Sequence, residues 1–342
     1  MKRIVQEDIE NILNMKINWE KINNSNILVT GASGMIGQYM ICCLLELKKK
    51  KNYNINIYAL MRNPDKMPEE CRNGITIIKQ DVIEKINVDV SFDFVIHTAS
   101  PASPKIMKEN PVGTIAANTV GTYNTLLAAS RGSGRGYLYI SSREIYGQPG
   151  IDQDLFSEDT YGFVNPLDVR SCYPEGKKAA ETMCMCFKQQ YGTNVKIARL
   201  AHTFGPGMSI DDGRVQADFF KNVVQNEDIV LKSQGTSIRT YTYIGDAVGA
   251  LFYILLNSDE VVYNIASEES TVTIRQLAEK MVDLFPEKHL KLVFDIPVDE
   301  RNSGCAPFTK GILDSTKLRK IGWNPIYSLE EGIMRTVCFL EE

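Results

Sequence analysis

The chain has 342 residues, which at about 150 per domain predicts two domains, or one large unit with a satellite. Hydrophobic residues make up 44% and charged residues 23%, which excludes a disordered or fibrous chain and allows a large buried core. Lys and Arg total 38 against 42 Asp and Glu, and the net charge of −4 argues against nucleic acid as a main partner.

No uncharged apolar run approaches the ~18 residues of a membrane helix, so no membrane partner is expected. Met1 to Asp8 turns acidic at once and lacks the apolar core of a signal peptide, which points to the cytoplasm. Val5, Ile9, Ile12 and Leu13 recur at helical spacing, predicting an appended helix within residues 1–24 that docks on the main body.

From residue 26 short apolar strands alternate with helices. Strands are expected over 26–30, 55–61, 75–79, 94–98, 136–141 and 195–200, with helices over 34–48, 112–130 and 172–190. This alternation predicts an α/β fold, a Rossmann-type doubly wound parallel sheet covered on both faces and spanning residues 25–204. The Lys48–Lys51 run suits a helix C-terminus, where positive charge complements the dipole. After residue 205, turns at Gly205-Pro206-Gly207 and Asp211-Asp212-Gly213 break the rhythm. Residues 205–342 therefore read mainly as a smaller mixed α/β substrate lobe, with some segments returning to the first domain and helices near 313–320 and 328–340. A pocket is expected between the lobes.

The eight cysteines (42, 43, 71, 172, 184, 186, 305 and 338) form no Cys-x-x-Cys pair. Only His97, His202 and His289 are available as histidine ligands. Reduced, mostly buried thiols and no metal are expected.

Thr30-Gly31-Ala32-Ser33-Gly34-Met35-Ile36-Gly37 follows the first strand and opens the first long helix. Glycines there let backbone N–H groups approach a pyrophosphate at a positive helix end, so a dinucleotide site is expected. The second strand ends Met61-Arg62-Asn63 with no carboxylate at its tip. That favours NADP over NAD, with Arg62 accommodating a 2′-phosphate; a solvated surface arginine is the alternative. Asp81 either accepts a hydrogen bond from the adenine amine or simply serves a turn.

Tyr173 and Lys177 stand four apart, on one face of a helix. A nearby ammonium and a cationic nicotinamide would make Tyr173 a workable base near neutral pH. Upstream, Ser141-Ser142-Arg143-Glu144-Ile145-Tyr146-Gly147 puts hydroxyls at the carboxyl edge of the sheet.

With TGASGMIG, HTASPASP (97–104), SSREIYG, YPEGK and HTFGPGM (202–208) in this order, the chain resembles the extended short-chain dehydrogenase/reductases of the nucleotide-sugar epimerase/dehydratase family. RSCYPEGKKAAETMC (170–184) and DGRV (212–215) look most like UDP-glucuronate decarboxylases. The resemblance implies a nucleotide-sugar substrate and transient oxidation at sugar C4. Tyr173 would be the base, Lys177 its partner and ribose holder, and Ser142 the hydroxyl that steadies the C4 oxygen. It implies NAD or NADP held by Gly31, Ser33, Gly34, Met35, Ile36, Gly37, Arg62, Asp81, Val82, Thr98, Ala99 and Ser100, besides Tyr173 and Lys177. It further implies a homodimer through a four-helix contact that includes the Tyr–Lys helix, with Met183, Met185, Cys186 and Phe187 serving that contact or the core.

The subtype turns on Glu144, a glutamate two residues after the hydroxyl in the family's dehydratases and decarboxylases. As a base for C5–H it points to a 4,6-dehydratase, the leading expectation; otherwise it pairs with Arg143 or caps a loop. A UDP-glucuronate-decarboxylase-like enzyme, a 4-epimerase, an NADPH-dependent ketoreductase and a non-catalytic NAD(P)-sensing protein are the alternatives. Decarboxylases show an arginine before a late proline, where this chain has Cys305 before Pro307, with Lys310 or Arg301 as possible substitutes. His202 replaces an asparagine of the relatives and is expected near the substrate phosphate, unless simply packed. Arg239 matches the arginine that clamps the diphosphate and Arg214 is a second candidate, unless both form surface ion pairs.

Overall fold

A computed structural model of the chain describes residues 1–148, 155–296 and 310–342. In chain order, α1 (Arg3–Asn14) precedes β1 (Ser25–Thr30), α2 (Met35–Lys51), β2 (Ile55–Met61), the short α3 (Glu69–Arg72) and β3 (Thr76–Lys79). Then come β4 (Phe94–His97), α4 (Pro104–Glu109), α5 (Pro111–Ser130), β5 (Gly136–Ser142), α6 (Cys172–Tyr191) and β6 (Val195–Leu200). The expected strands and helices of this stretch are all present, with ends shifted by no more than three residues.

The rest of the chain holds β7 (His202–Phe204), α7 (Val215–Gln225), β8 (Ile229–Leu231), β9 (Ile238–Tyr243), α8 (Ile244–Asn257) and β10 (Val262–Ile265). After these follow β11 (Thr271–Thr273), α9 (Ile274–Leu284), β12 (Leu292–Phe294), β13 (Lys310–Gly311), α10 (Thr316–Lys320) and α11 (Leu329–Glu341).

Seven strands form one parallel sheet in the order β10-β6-β5-β4-β1-β2-β3. In β1 every residue but Asn26 is buried, as a strand covered on both sides requires. Successive residues face opposite cores. Ile27 and Val29 pack with residues of α2 and α8, whereas Leu28 packs with residues of α5 and α6. Strand order reverses between β1 and β4, and in such sheets ligands bind beyond the carboxyl ends at that switch point. β10, from beyond residue 205, completes the edge next to β6. A second sheet sets β9 between β11 and the strands β13 and β7, and β8 pairs with β12.

Helix α1 packs on α2 and α8 through Ile4, Val5, Ile9 and Ile12. Its fully buried Asp8 accepts hydrogen bonds from Tyr39 (2.9 Å), Tyr243 (2.7 Å) and Tyr327 (2.9 Å) and faces Arg335 at 2.8 Å. The apolar stripe was visible in the sequence; this polar pin was not. Lys48 to Lys51 form the last turn of α2, as the charge pattern predicts. The seven described cysteines are free thiols, with Cys184 buried and Cys186 exposed on opposite faces of α6. Among the described residues no helix is long and apolar enough to cross a membrane, and no group of three or more His, Cys, Asp or Glu is placed to hold a metal ion.

Candidate active site

A cleft of about 1310 Å³ opens between the carboxyl ends of β1, β4, β5 and β6 and the β8–β9 side. Its dinucleotide end is built by the glycine turn. Gly31 has φ +63°, and a Cβ there would lie 2.7 Å from the Ala99 backbone; one on Gly37 would lie 2.5 Å from the Gly31 carbonyl. Only glycine lets these backbones close up, and the turn delivers the uncapped N-terminus of α2 to the cleft wall. This cradle fits a pyrophosphate-bearing cofactor. Ser33, Gly34, Met35, Ile36, Thr98 and Ser100 also line the cleft. Thr98 donates to the Thr30 carbonyl at 2.7 Å, and Ser100 to Asn118 Oδ1 at 2.8 Å.

Four expected cofactor residues, Arg62, Asp81, Val82 and Ala99, are not part of the cleft wall. Arg62 faces Asp81 at 3.6 Å with its side chain 72% exposed, and Asp81 also accepts from the Ile83 N–H, a turn role. Val82 is buried against Gly121 of α5, and Ala99 is the backbone on which Gly31 packs. His97, from the same motif as Thr98, is a structural link between Thr30 and Thr122. Burial, with Lys177 nearby, holds it neutral by lowering its pKa to about 3.

At the catalytic end, Ser142, Glu144, Tyr173 and Lys177 all meet in the cleft. Tyr173 and Lys177 occupy the first turns of α6 and are both buried. Lys177 Nζ donates to the Ile140 carbonyl at 2.6 Å and lies 5.7 Å from the centre of the Tyr173 ring. Burial lowers its pKa to about 7, partly opposed by Glu181. Tyr173 is shifted the other way. Burial, then the Glu144 carboxylate, pushes its phenol up to about 12, against opposing pulls from Ser142, Arg214 and Arg170. The buried pair alone does not make a neutral-pH base, because burial penalises phenolate and ammonium alike.

Glu144 sits on the short turn after β5, where its N–H bonds Ser142 Oγ at 3.2 Å. Its two oxygens accept from Arg170 at 2.8 and 2.9 Å, so its ion partner is Arg170 and not the adjacent Arg143. A carboxylate gripped by a bidentate guanidinium is poorly placed to act as the free C5 base first expected.

Beyond Ser142 the cleft turns cationic, with Arg143, Arg170, Arg214 and Arg239 in its wall. Arg214 is paired with Asp212, its Nε at 2.7 Å. Arg239 is buried rather than a surface charge, and its Nη1 donates to the Ile238 carbonyl at 2.8 Å. His202 also lines this end. It is driven well below the ordinary histidine value by burial and by Arg143, Arg239 and Arg214, so the ring is neutral. His202 Nδ1, Gln216 Nε2 and Tyr241 Oη, on three residues that line this end, are buried without a hydrogen-bond partner among the described residues.

Sequence reasoning missed Arg170, Gln216 and Tyr241 as cleft residues. Tyr241 was findable, standing two residues beyond Arg239 on the same face of a strand. Nothing local links Arg170 to Glu144, 26 residues away. Cys305, Pro307 and Arg301 lie outside the described residues, as does the side chain of Lys310.

Residues 27–266 match the model of the NAD dependent epimerase/dehydratase family. UDP-glucuronic acid decarboxylase 5 of Arabidopsis thaliana is 34% identical over 91% of this chain and 88% of its own. UDP-glucuronic acid decarboxylase 1 of Xenopus tropicalis is 31% identical over 94% of this chain and 73% of its own. UDP-glucose 4-epimerase from Thermotoga maritima superposes with a TM-score of 0.77 at 23% identity, covering 92% of this chain and 98% of that one. The dTDP-glucose 4,6-dehydratase of Bacillus anthracis gives 0.72 at 18%, covering 93% and 96%. These two likenesses carry the fold, a Rossmann-type parallel sheet flanked by helices. With the glycine cradle and the Ser–Tyr–Lys constellation in one cleft, the chain is an enzyme and belongs to the NAD dependent epimerase/dehydratase family.

Proposed function

We propose that this enzyme decarboxylates a nucleotide-linked hexuronic acid of the UDP-glucuronate kind, through transient oxidation at C4. The relatives named above support this alternative over the 4,6-dehydratase first expected. The observation that carries it is the Arg170 grip on both oxygens of Glu144.

The chemistry explains why. Tyr173 takes the C4 hydroxyl proton, Ser142 hydrogen-bonds the same oxygen, and Lys177 supplies positive charge beneath the phenol. A nicotinamide cofactor, when bound, would supply a reversible hydride acceptor for C4. The resulting 4-keto uronate is a β-keto acid. Its C5–C6 bond breaks with loss of carbon dioxide, and the electron pair flows toward the C4 oxygen that Ser142 and Tyr173 hold. C5 then takes up a proton and C4 is reduced again. No base need remove C5–H first. Loss of water from C6 would require one, and Glu144, the carboxylate at hand, is engaged. Gly31, Gly34 and Gly37 with the α2 N-terminus hold the pyrophosphate, and Lys177 the ribose. Arg239 and Arg214 take the substrate diphosphate, with His202 close by.

The test is incubation of the purified protein with UDP-glucuronate, UDP-glucose and dTDP-glucose plus catalytic NAD, with products read by mass spectrometry. Loss of carbon dioxide from UDP-glucuronate supports the reading. Loss of water from a hexose, or a changed NMR spectrum at unchanged mass, replaces it with dehydration or epimerisation.

A further inference from the structure

Cys42 and Cys71 are 29 residues apart in sequence, yet their sulfurs stand 3.0 Å from each other. Cys42 is on α2 and Cys71 on α3, and both side chains are buried. Both also border a cavity of about 240 Å³ whose lining includes the exposed Lys2, Pro68 and Glu70, so this space communicates with solvent. It has the volume of several waters, enough for a molecule as small as a peroxide. The hydrogen bond from Cys42 holds the Cys71 thiol below its ordinary pKa, against burial and the Glu70 carboxylate, which act the other way. Cys71 is thus the sulfur that deprotonates first, and the thiolate is the reactive form. Burial pushes the thiols of Cys43 and Cys184 up instead.

The pair lies beside the cofactor end of the cleft. α2 begins at the glycine cradle, and Cys42 stands two turns along it from Met35. Met35, Gln38 and Gly207 line both the cleft and the small cavity. Gln38 Nε2 donates to the Ser33 carbonyl at 2.7 Å and to the Lys66 carbonyl at 3.2 Å. Lys66, shortly before α3, lines the cleft as well. The segment between β2 and the end of α3 is therefore joined to α2 by the Gln38 amide and by the thiol contact. A covalent bond at the thiols would fix this side of the cofactor wall.

We propose that Cys42 and Cys71 are a reversible disulfide site, closed by hydrogen peroxide, that staples α3 to α2 and pre-organises the cofactor end of the cleft. The Cys71 thiolate attacks one peroxide oxygen, the O–O bond breaks, and a sulfenic acid forms while hydroxide leaves and is protonated to water. The Cys42 sulfur then attacks the sulfenic sulfur. An S–S bond forms, the S–O bond breaks, and a second water carries away the Cys42 proton. Two electrons pass from the two thiols to the peroxide. Bonded sulfurs stand about 2 Å apart, so a closure of about 1 Å suffices. A dithiol reverses the step by exchange.

The test treats the full chain, reduced, loaded with NAD and freed of reductant, with a small excess of hydrogen peroxide. Alkylation after denaturation should then label all eight cysteines but the bridged two, and a digest should hold the Cys71 peptide linked to that of Cys42. Cys42→Ala and Cys71→Ala should each abolish the link, whereas Cys43→Ala keeps it. Dithiothreitol should restore all eight labels. Bound NAD should leave the bridged protein at least about threefold more slowly, since a fixed wall opens less readily. No loss of label, oxidation that stops at a sulfinic acid on either sulfur, or a bridge to another cysteine would overturn the proposal. A Cys42–Cys71 bridge that leaves NAD release unchanged or faster would overturn the stapling of the cofactor wall.

Discussion

Tyr173, pushed up to about 12, and Lys177, lowered to about 7, titrate in opposite directions for one reason: neither charge is solvated where it sits. The phenol therefore stays protonated until more positive charge arrives beside it, and a bound nicotinamide would supply that charge, which ties proton removal to cofactor binding. Replacing Tyr173 by Phe should lower kcat by about 100-fold or more while NAD remains bound. Retained turnover would refute its role as base. Gly31→Ala makes a different prediction. A Cβ at φ +63°, 2.7 Å from the Ala99 backbone, forces the turn open, so NAD should be lost on gel filtration and the melting temperature should fall. A variant that keeps both would show that the turn is not the pyrophosphate cradle. For Arg62, the NADP preference read from the strand tip becomes a titration. If its guanidinium meets a 2′-phosphate, Arg62→Ala weakens NADP and spares NAD, and equal effects dismiss the role.

Two buried acids fasten the elements around the sheet. Asp8 ties α1 to Tyr39 on α2, Tyr243 at the end of β9, and Tyr327 and Arg335 near and on α11. Asp8→Ala strands three hydroxyls and a guanidinium, and should cost about 3 kcal/mol or more in urea unfolding. A loss under about 1 kcal/mol would mean that α1 is held by its apolar face alone. Asp246, at the start of α8, accepts from the Ile326 and Tyr327 N–H groups, yet burial raises its pKa to about 7. From the ordinary aspartate value of 3.8 up to about 7, the folded form holds a proton that the unfolded chain has released. This group's contribution therefore falls as pH rises through that window and is flat above it. Asp246→Asn should flatten the decline in melting temperature between pH 5 and pH 7.5, and an unchanged slope would contradict this. Neither acid was legible in sequence. Each earns its place through partners up to 327 residues away, as Arg335 is from Asp8, whereas the strands and helices announce themselves by local period.

Over the whole molecule, legibility follows contact range. The parallel sheet, the glycine turn and the Ser142, Tyr173 and Lys177 set were readable because each rests on short spacing in a strand–turn–helix frame. The Glu144–Arg170 pair and the place of Gln216 in the wall depend on how distant segments fold over the cleft, which no local pattern encodes, whereas Tyr241 was within reach of the strand period. α5 and α6 pack closely and leave Val112, Ile115, Tyr123 and Met185 exposed, a face that suits the homodimer expected from the family resemblance. Gel filtration should give a dimer that Met185→Glu dissociates, and a wild-type monomer would remove that expectation. The most direct test of the proposed chemistry uses UDP-glucuronate deuterated at C4, catalytic NAD and the wild-type protein. The account predicts release of carbon dioxide and a pentose product that keeps its deuterium at C4, because the same hydride leaves and returns. Carbon dioxide release with the label washed out to solvent, or a product that still carries its carboxylate, would contradict it.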